Sequence, residues 1–438
     1  MIKKFKLLLI ALLLSTATFA QNILAYIETA NSFFSKLDEG KYTDAQAFFD
    51  PSLKDKITVE SLEKVWGQLN ASLGKLESVD GAQNKAQGEY QIVVLNCKFT
   101  KDKQAFQFVF NKDQKLVGFF ILPKQPNTDY KLPIYADTSL YKEQLITIKS
   151  GTHNLPAMLT LPKDSLKSPI VIFVHGSGPG DMDESIGLQK PFKDMAAGLA
   201  SKGIGSIRYV KRTALYGQEF DKAFTTKEEV TDDVLAVIEF AKTVPQINAG
   251  QIYVFGHSLG GMLAPRIATI NSEIKGIILA AAPARKLQDV SVEQYKYMFT
   301  QAKDTTKAGK EALNKAIKDV NFTKSITNTN FPADSVILGL PAAYWADLNS
   351  LDQIALTKKL KIKTFIIQGG NDFQVSAQDL NLWITGLKGK KEVQTKLYPM
   401  LNHLFSFVSE KGTVAQYQQI SHVDQPVIDD LANWILEK

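Results

Sequence analysis

The chain has 438 residues, of which 51 are Lys or Arg and 45 are Asp or Glu, so its formal net charge at pH 7 is +6. Hydrophobic residues make up 45% of the chain and charged residues 22%, which excludes a disordered, collagen-like or coiled-coil protein. The small charge excess is dispersed along the chain, which argues against nucleic acid as a partner. At about 100 to 200 residues per domain, this length predicts two or three domains.

The first twenty residues have the pattern of an export signal. Lysines precede an apolar run from Leu7 to Leu14, and the small residues Thr18 and Ala20 end the segment. The run is shorter than the roughly 20 residues of a membrane span, and no later stretch offers one. We therefore expect residues 1–20 to be a signal peptide and the mature protein to be periplasmic or secreted, with a retained N-terminal anchor as the alternative.

Cys97 is the only cysteine of the chain, so an internal disulfide is excluded. It lies in a run of alternating apolar and polar residues, which predicts a buried structural thiol on a strand.

Residues 21–123 predict a small α+β domain. Apolar residues recur at helical spacing as far as about Trp66, and then Phe106, Phe108 and Phe110 alternate strictly, as on a half-buried strand. The order of elements resembles the small nuclear-transport-factor-like domains that precede hydrolase domains in some exported bacterial proteins. The segment contains no histidine, so we expect a packing or binding module. Three prolines between Pro123 and Leu140 predict a linker over residues 124–140.

Residues 141–438 alternate between strand and helix patterns. Repeated βα units predict a mostly parallel sheet flanked by helices on both faces, that is, an α/β fold. The alternation is interrupted at about residues 284–354 by a helical, polar, lysine-rich stretch, which we interpret as a helical lid inserted after a strand in the middle of the sheet.

The motif that points to chemistry follows the predicted strand Ile252–Phe255. The sequence Gly-His-Ser-Leu-Gly-Gly over residues 256–261 has the G-x-S-x-G pattern, and a helix pattern begins directly after it. A serine on so sharp a strand-to-helix turn projects its hydroxyl from a strained backbone, and the small residues let strand and helix approach. Ser258 is therefore the candidate nucleophile.

A serine hydroxyl needs a base that is itself oriented by an acid. His403 and His422 are the only histidines after Ser258. His403 follows a predicted strand and is the preferred base, whereas His422 precedes the last helix. Asp372 directly follows another apolar strand, at the sheet edge where ligands bind, and is the candidate acid. Asp347 and Asp352 belong to the insertion and are weaker candidates.

The oxyanion formed on acyl attack needs backbone N–H donors. One is expected from Leu259, the residue after the nucleophile, and the other from the loop after an earlier strand, where Ser177 is the first choice. That loop reads His-Gly-Ser-Gly-Pro-Gly over residues 175–180. A nucleotide-binding loop is the competing interpretation, but G-x-G-x-x-G would require glycine in place of Asp181.

These motifs, HGSGPGDMDE, GHSLGG, GGNDFQV and LNHLF, resemble an α/β-hydrolase of the branch that includes dienelactone hydrolases and prolyl-oligopeptidase-like serine aminopeptidases. The resemblance implies an oxyanion loop at Ser177, a nucleophile elbow at Ser258, and the acid and base at Asp372 and His403. Related chains often have an aspartate at the position of Val210, so an acidic role there is not expected. Five residues are candidates for substrate contact: Gly176, Gly178, His257, Tyr209 and Arg285.

We therefore expect an exported serine hydrolase that cleaves carboxylic esters through an acyl-enzyme. A serine peptidase or amidase of the prolyl-oligopeptidase-like type is the alternative, and a non-catalytic binding protein on a hydrolase fold is a further one. The dispersed histidines show no H-E-x-x-H pattern, so neither a metal nor another cofactor is expected. The predicted partner is a small-molecule ester or a short peptide.

Overall fold

The computed structural model describes residues 26, 29–87, 90–122, 130–163, 166–217 and 219–437. It divides into two compact units, Met1–Thr128 and Asp129–Lys438, and the division falls within the predicted linker. The predicted signal peptide lies outside the described residues. No helix among the described residues is both long and apolar enough to cross a membrane.

The first unit packs helices against an antiparallel sheet. Its elements in chain order are helix α1 (residues 29–38), α2 (Tyr42–Gln46), α3 (Val59–Leu73), β1 (Leu76–Gln87), β2 (Tyr90–Phe99), β3 (Lys103–Phe110) and β4 (Leu116–Ile121). The four strands are hydrogen-bonded in chain order.

The core of the first unit is aromatic. Alternation on β3 turns Phe106, Phe108 and Phe110 inward, and the Phe34 ring meets Phe106 and Phe108 edge-to-face at 4.9 and 5.2 Å between centroids. Cys97 is buried on β2, as the alternation predicts.

The second unit is built on an eight-stranded mixed sheet. The eight strands of this sheet are β5 (Tyr141–Ser150), β6 (His153–Pro162), β7 (Ser168–Val174), β8 (Gly205–Tyr209), β9 (Ile247–His257), β10 (Ile274–Ala280), β13 (Lys363–Gly369) and β14 (Val393–Tyr398), and the unit also contains β11 (Val336–Ile337) and β12 (Leu340–Pro341). The order across the sheet is β14-β13-β10-β9-β7-β8-β6-β5, and β11 and β12 form a separate hairpin. The neighbours from β14 to β8 pair in parallel, whereas β6 pairs antiparallel with both β8 and β5.

Helices cover both faces of this sheet. The α-helices of this unit are α4 (Pro191–Ala200), α5 (Arg212–Leu215), α6 (Asp232–Thr243), α7 (Leu259–Ile270), α8 (Leu287–Ala302), α9 (Lys307–Thr323), α10 (Ala342–Ser350), α11 (Gln353–Lys359), α12 (Ala377–Gly386) and α13 (Gln425–Leu436). Successive residues of β7 point to opposite faces. Val171 and Phe173 therefore pack with α4 and α13, while Ile170 and Ile172 pack with α6 and α7. The predicted α/β fold is confirmed.

The interruption of the βα pattern lies between β10 and β13 and comprises α8 to α11 with the short hairpin. Helix α9 is mostly exposed and α8 is mostly half-buried, whereas α10 contributes Tyr344, Trp345 and Leu348 to the main core. The insertion thus has a peripheral half and a half that is anchored on the sheet.

Part of the predicted linker contacts the second unit. The Tyr130 hydroxyl donates to the buried carboxylate of Asp194, and the Tyr135 hydroxyl donates to the Val423 carbonyl at 2.7 Å. Leu132 packs against a small cluster that includes Tyr141. Of the predicted linker, residues 130–140 are therefore bound to the unit that follows them.

Candidate active site

Ser258 stands between the end of β9 and the start of α7. Its backbone has φ 52° and ψ −117°, a conformation that residues with a side chain rarely adopt. Two glycines make this turn sterically possible. A Cβ on Gly256 would lie 2.3 Å from the Gly260 carbonyl oxygen, and a Cβ on Gly260 would lie 2.4 Å from the Val174 carbonyl oxygen. The turn is the strained strand-to-helix elbow that the motif predicts.

His403 and Asp372 form a buried pair. His403 Nδ1 lies 2.7 Å from Asp372 Oδ2. The other carboxylate oxygen, Oδ1, accepts the backbone N–H groups of Gln374 and Val375 at 2.7 and 2.9 Å. These bonds fix the carboxylate, and the carboxylate in turn orients the imidazole with the proton on Nδ1.

The loop that carries His403 is held by its own backbone. The Asn402 side-chain oxygen accepts the N–H groups of Leu404 and Ser406 at 2.9 and 3.0 Å. Phe405 completes the turn at φ 59°. The loop after β13 approaches so closely that a Cβ on Gly369 would lie 2.4 Å from the Leu401 carbonyl oxygen. The two loops therefore hold Asp372 and His403 together.

A cavity of about 380 Å³ brings the predicted residues together. Ser258, His403 and His257 line it, and so do all residues from His175 to Gly180. The insertion contributes four lining residues from α8: Leu287, Val290, Ser291 and Gln294. The cavity thus lies at the carboxyl end of the parallel strands, where open α/β sheets bind their ligands.

Of the two predicted oxyanion donors, Ser177 lines this cavity and Leu259 directly follows Ser258, which also lines it. Leu259 is buried at the first position of α7, where backbone N–H groups are free of intrahelical partners. Ser177 is exposed in the loop after β7. The N–H of Gly176 is already bound, because it donates to Glu184 Oε1 at 2.7 Å, so Ser177 is the better placed of the two for a substrate.

Glu184 is a residue whose role the sequence did not reveal. Its Oε2 lies 3.0 Å from Nδ1 of His257, and His257 Nε2 donates to the His403 carbonyl at 2.9 Å. Burial by itself would lower the pKa of His257, but the Glu184 carboxylate outweighs it and the pKa is raised. Burial likewise opposes ionisation of Glu184, and the charge of His257 outweighs it, so that its pKa is lowered. Each residue therefore favours the charged form of the other, and the pair links the loop of Ser258 to the loop of His403.

Two predicted substrate contacts are not at the cavity. Tyr209 is buried in the main core with its ring 5.2 Å from that of His175. Arg285 pairs with the buried Asp379 at 2.7 Å and also with Glu293. Both residues were predicted to contact substrate because they lie at the ends of strands. The Tyr209 ring is buried and the Arg285 guanidinium is paired, so neither side chain is free to contact a ligand in the cavity. Both have structural roles instead.

His422, the other candidate base, lies away from the cavity. His422 Nδ1 lies 3.1 Å from Asp194 Oδ1, and neither residue lines the cavity. Among the described residues, no group of three His, Cys, Asp or Glu side chains could hold a metal ion.

Comparison of the sequence with known proteins identifies related families. Residues 217–407 match the family model described as serine aminopeptidase, S33, and residues 30–119 match a family of proteins of unknown function, DUF3887. Esterase EstD of Thermotoga maritima is 34% identical over 414 residues, covering 94% of this chain and 96% of that protein.

Solved structures are more distant. Est1E of Butyrivibrio proteoclasticus is 16% identical, with 67% of this chain and 99% of that chain covered at a TM-score of 0.44. The acylaminoacyl peptidase of Pyrococcus horikoshii is also 16% identical, with 82% and 56% covered and a TM-score of 0.48.

The relationship to EstD extends through both units, and the serine aminopeptidase model covers the segment that carries Ser258, Asp372 and His403. The chain belongs to the α/β-hydrolase family of esterase EstD, and the protein is a hydrolase.

Proposed function

We propose that the protein hydrolyses carboxylic esters through an acyl-enzyme formed on Ser258. The observation that carries the proposal is the buried Asp372–His403 pair, whose imidazole lines the same cavity as a serine on a strained turn. The name of the relative EstD, an esterase, supports it.

In the first half-reaction, His403 Nε2 accepts the Ser258 proton as the oxygen attacks the ester carbonyl. The C–O bond forms and the carbonyl electron pair moves to oxygen, where the N–H groups of Leu259 and Ser177 stabilise the charge. His403 then gives the proton to the departing alcohol. Water then attacks the acyl-enzyme by the same steps and releases the carboxylic acid product. In both half-reactions Asp372 keeps the imidazole oriented and stabilises its positive charge.

The cavity favours an uncharged ester over a peptide with a free amino terminus. An aminopeptidase must hold the substrate ammonium beside an available carboxylate. Among the residues that line the cavity, Glu184 has the one carboxylate, and it is bound by the Gly176 N–H and by His257. Peptide or amide hydrolysis is therefore the second candidate, supported by the match to the serine aminopeptidase model.

The decisive experiment uses a fluorophosphonate, which labels an activated serine whatever the substrate. We expect one adduct per chain in the intact mass of the wild type and none in Ser258→Ala. Absence of an adduct in folded wild type would favour a non-catalytic binding protein. Comparison of matched p-nitrophenyl esters and aminoacyl p-nitroanilides then separates the two enzymatic candidates, because equal turnover of both would contradict the preference for esters.

We also propose that the protein is exported, on the strength of the N-terminal sequence pattern. The expected result is a periplasmic or secreted protein whose mass lacks residues 1–20. A full-length chain in the membrane fraction would instead identify the segment as a retained anchor.

A further inference from the structure

Lys211 lies beneath the loop that carries Ser177. It follows β8, and only 2% of its side chain is exposed. Its Nζ donates to the carbonyl oxygens of Gly176 and Gly178 at 2.8 and 2.9 Å. Its backbone N–H donates to the carbonyl oxygen of Gly180 at 3.0 Å. One residue therefore binds three alternate carbonyls of this loop.

The charge of Lys211 is balanced inside the protein. Nζ also donates to Oε1 of Glu229, whose side chain is 5% exposed. An ammonium group has three protons, and here they meet two loop carbonyls and one carboxylate. The second oxygen of Glu229 accepts the hydroxyl of Tyr344 on α10, the anchored half of the insertion. A buried ammonium that is fully hydrogen-bonded and paired keeps one position, whereas a surface lysine samples many.

This contact has a directional consequence for Ser177. The carbonyl of Gly176 and the N–H of Ser177 belong to one peptide unit, and the described residues contain no cis peptide bond. In a trans peptide the C=O and N–H bonds point in opposite directions. Because Lys211 binds the oxygen from the buried side, the N–H points away from it, to the side on which Ser177 lines the cavity.

The same contact changes the strength of the donor. A cation bound to a carbonyl oxygen draws electron density from the amide, and linked hydrogen bonds polarise one another in this way. The N–H of Ser177 thereby becomes more positive. Among the described residues it has no acceptor, while the neighbouring N–H of Gly176 is held by Glu184.

We propose that Lys211 is a positioning residue of the oxyanion hole, which orients and polarises the Gly176–Ser177 peptide so that the Ser177 N–H stabilises the tetrahedral intermediate. The inference rests on the proposed function and deepens it. Lys211 exchanges no proton with the substrate and does not touch it. Its action passes entirely through one peptide bond.

The test removes the ammonium without leaving a buried charge unpaired. In Lys211→Met/Glu229→Gln both charges disappear together, and the glutamine oxygen can still accept from Tyr344. The matched control is Arg212→Met/Asp233→Asn, which removes the next buried ion pair along the chain, one that has no hydrogen bond to residues 176–180. Thermal unfolding of both double variants establishes that each is folded.

Loss of one oxyanion donor lowers kcat by about 10² to 10³-fold in other hydrolases, so weakening one is expected to lower it by about 10- to 100-fold. For p-nitrophenyl acetate we expect this loss in kcat with KM within threefold of the wild type, and no such loss in the control. The matched thionoester gives a second readout. Because sulfur is a weak acceptor, its turnover should fall much less than that of the oxoester.

Two results would overturn the proposal: a folded Lys211→Met/Glu229→Gln protein with wild-type kcat, or equal losses for oxoester and thionoester. If that double variant does not fold, Ser177→Pro removes the N–H itself from an exposed position, and unchanged kcat in this variant would also overturn the proposal. Wild-type turnover that survives Ser258→Ala would instead refute the proposed function, so the two failures are distinguishable.

Discussion

His257 Nδ1 lies 3.0 Å from Glu184 Oε2, in a buried ion pair directly behind Ser258. Glu184 also accepts the Gly176 N–H, and His257 donates to the His403 carbonyl. The pair therefore connects three loops that form the candidate site: the loop after β7, the turn after β9 and the loop that carries His403. A charge pair at this junction makes the stability of the site depend on pH.

The raised pKa of His257 means that its stabilising effect is complete below 6.5, its ordinary value, and is lost as pH rises through the folded-state pKa. The lowered pKa of Glu184 means that its effect is complete above 4.5 and is lost as pH falls through the folded-state pKa. Both effects are complete between pH 4.5 and 6.5.

We accordingly expect His257→Gln to lower the free energy of unfolding at pH 5.5 by about 3–5 kcal/mol, because it leaves a buried carboxylate unpaired. The deficit should shrink at pH 9. Urea unfolding followed by tryptophan fluorescence at the two pH values measures it, and a deficit that does not change with pH would show that the pair is not ionised.

Replacing Asp372 by asparagine should prevent His403 from acting as the base that we propose. In Asp372→Asn the amide oxygen is held by the N–H groups of Gln374 and Val375, so its NH₂ group faces His403 Nδ1. That favours the tautomer with the proton on Nε2, which cannot accept one from Ser258. We expect kcat to fall by about 10⁴-fold, with some loss of thermal stability because the new NH₂ group also faces Gln368 Nε2, which donates to Asp372 Oδ2 at 2.9 Å. A decrease of less than tenfold would contradict the orienting role.

The two histidines after the nucleophile allow a matched comparison. Each is paired with an aspartate, but only His403 lines the cavity. We expect His403→Ala to lower kcat by about 10⁴ to 10⁶-fold and His422→Ala to leave it within twofold. Steady-state hydrolysis of p-nitrophenyl acetate distinguishes the two, and the opposite ranking would identify His422 as the base.

Arg285 provides a test of a structural role against a binding role. In Arg285→Met the buried Asp379 loses its ion pair but keeps the backbone N–H groups of Ala284 and Arg285. We expect a loss of about 1–3 kcal/mol in stability with KM unchanged. A raised KM at unchanged melting temperature would instead show that Arg285 contacts the substrate.

Close packing at the elbow predicts opposite effects of the same substitution at two glycines. A Cβ on Gly260 would lie 2.4 and 2.6 Å from the backbone oxygens of Val174 and His175, whereas one on Gly67 in α3 meets nothing within 4 Å. Gly260→Ala should cost about 1–3 kcal/mol and impair turnover, while Gly67→Ala should stabilise the first unit by about 0.5–1 kcal/mol. Calorimetry of both variants provides the measurement, and equal melting temperatures would refute the steric argument.

Most of the fold could be predicted from the sequence because the spacing of apolar residues differs between strands and helices and alternates along the chain. The alternating strand of Phe106, Phe108 and Phe110 is β3, and the helical interruption predicted at about residues 284–354 contains α8, α9 and α10. Boundaries were less certain where polar residues extend a strand, as in β9, which begins at Ile247 rather than Ile252.

The site was predictable only as far as local motifs reach. Ser258, Asp372 and His403 each follow a strand in a recognisable turn, so the sequence placed them at one edge of the sheet. The partners of Glu184 and Lys211 are distant in sequence or are backbone atoms, and no spacing rule encodes such contacts. Tyr209 is the last residue of β8 and Arg285 follows β10, but the direction of their side chains depends on packing that the chain order does not reveal.

The binding of residues 130–140 to the hydrolase unit affects how that unit could be isolated. Cutting the chain at residue 141, where its first strand begins, would remove Tyr130 and Tyr135 and leave the carboxylate of Asp194 with one donor fewer. The same cut would uncover the apolar cluster around Tyr141 on which Leu132 rests. A shortened protein that begins at Asp129 retains these contacts, so the boundary for truncation lies about a dozen residues before the first strand.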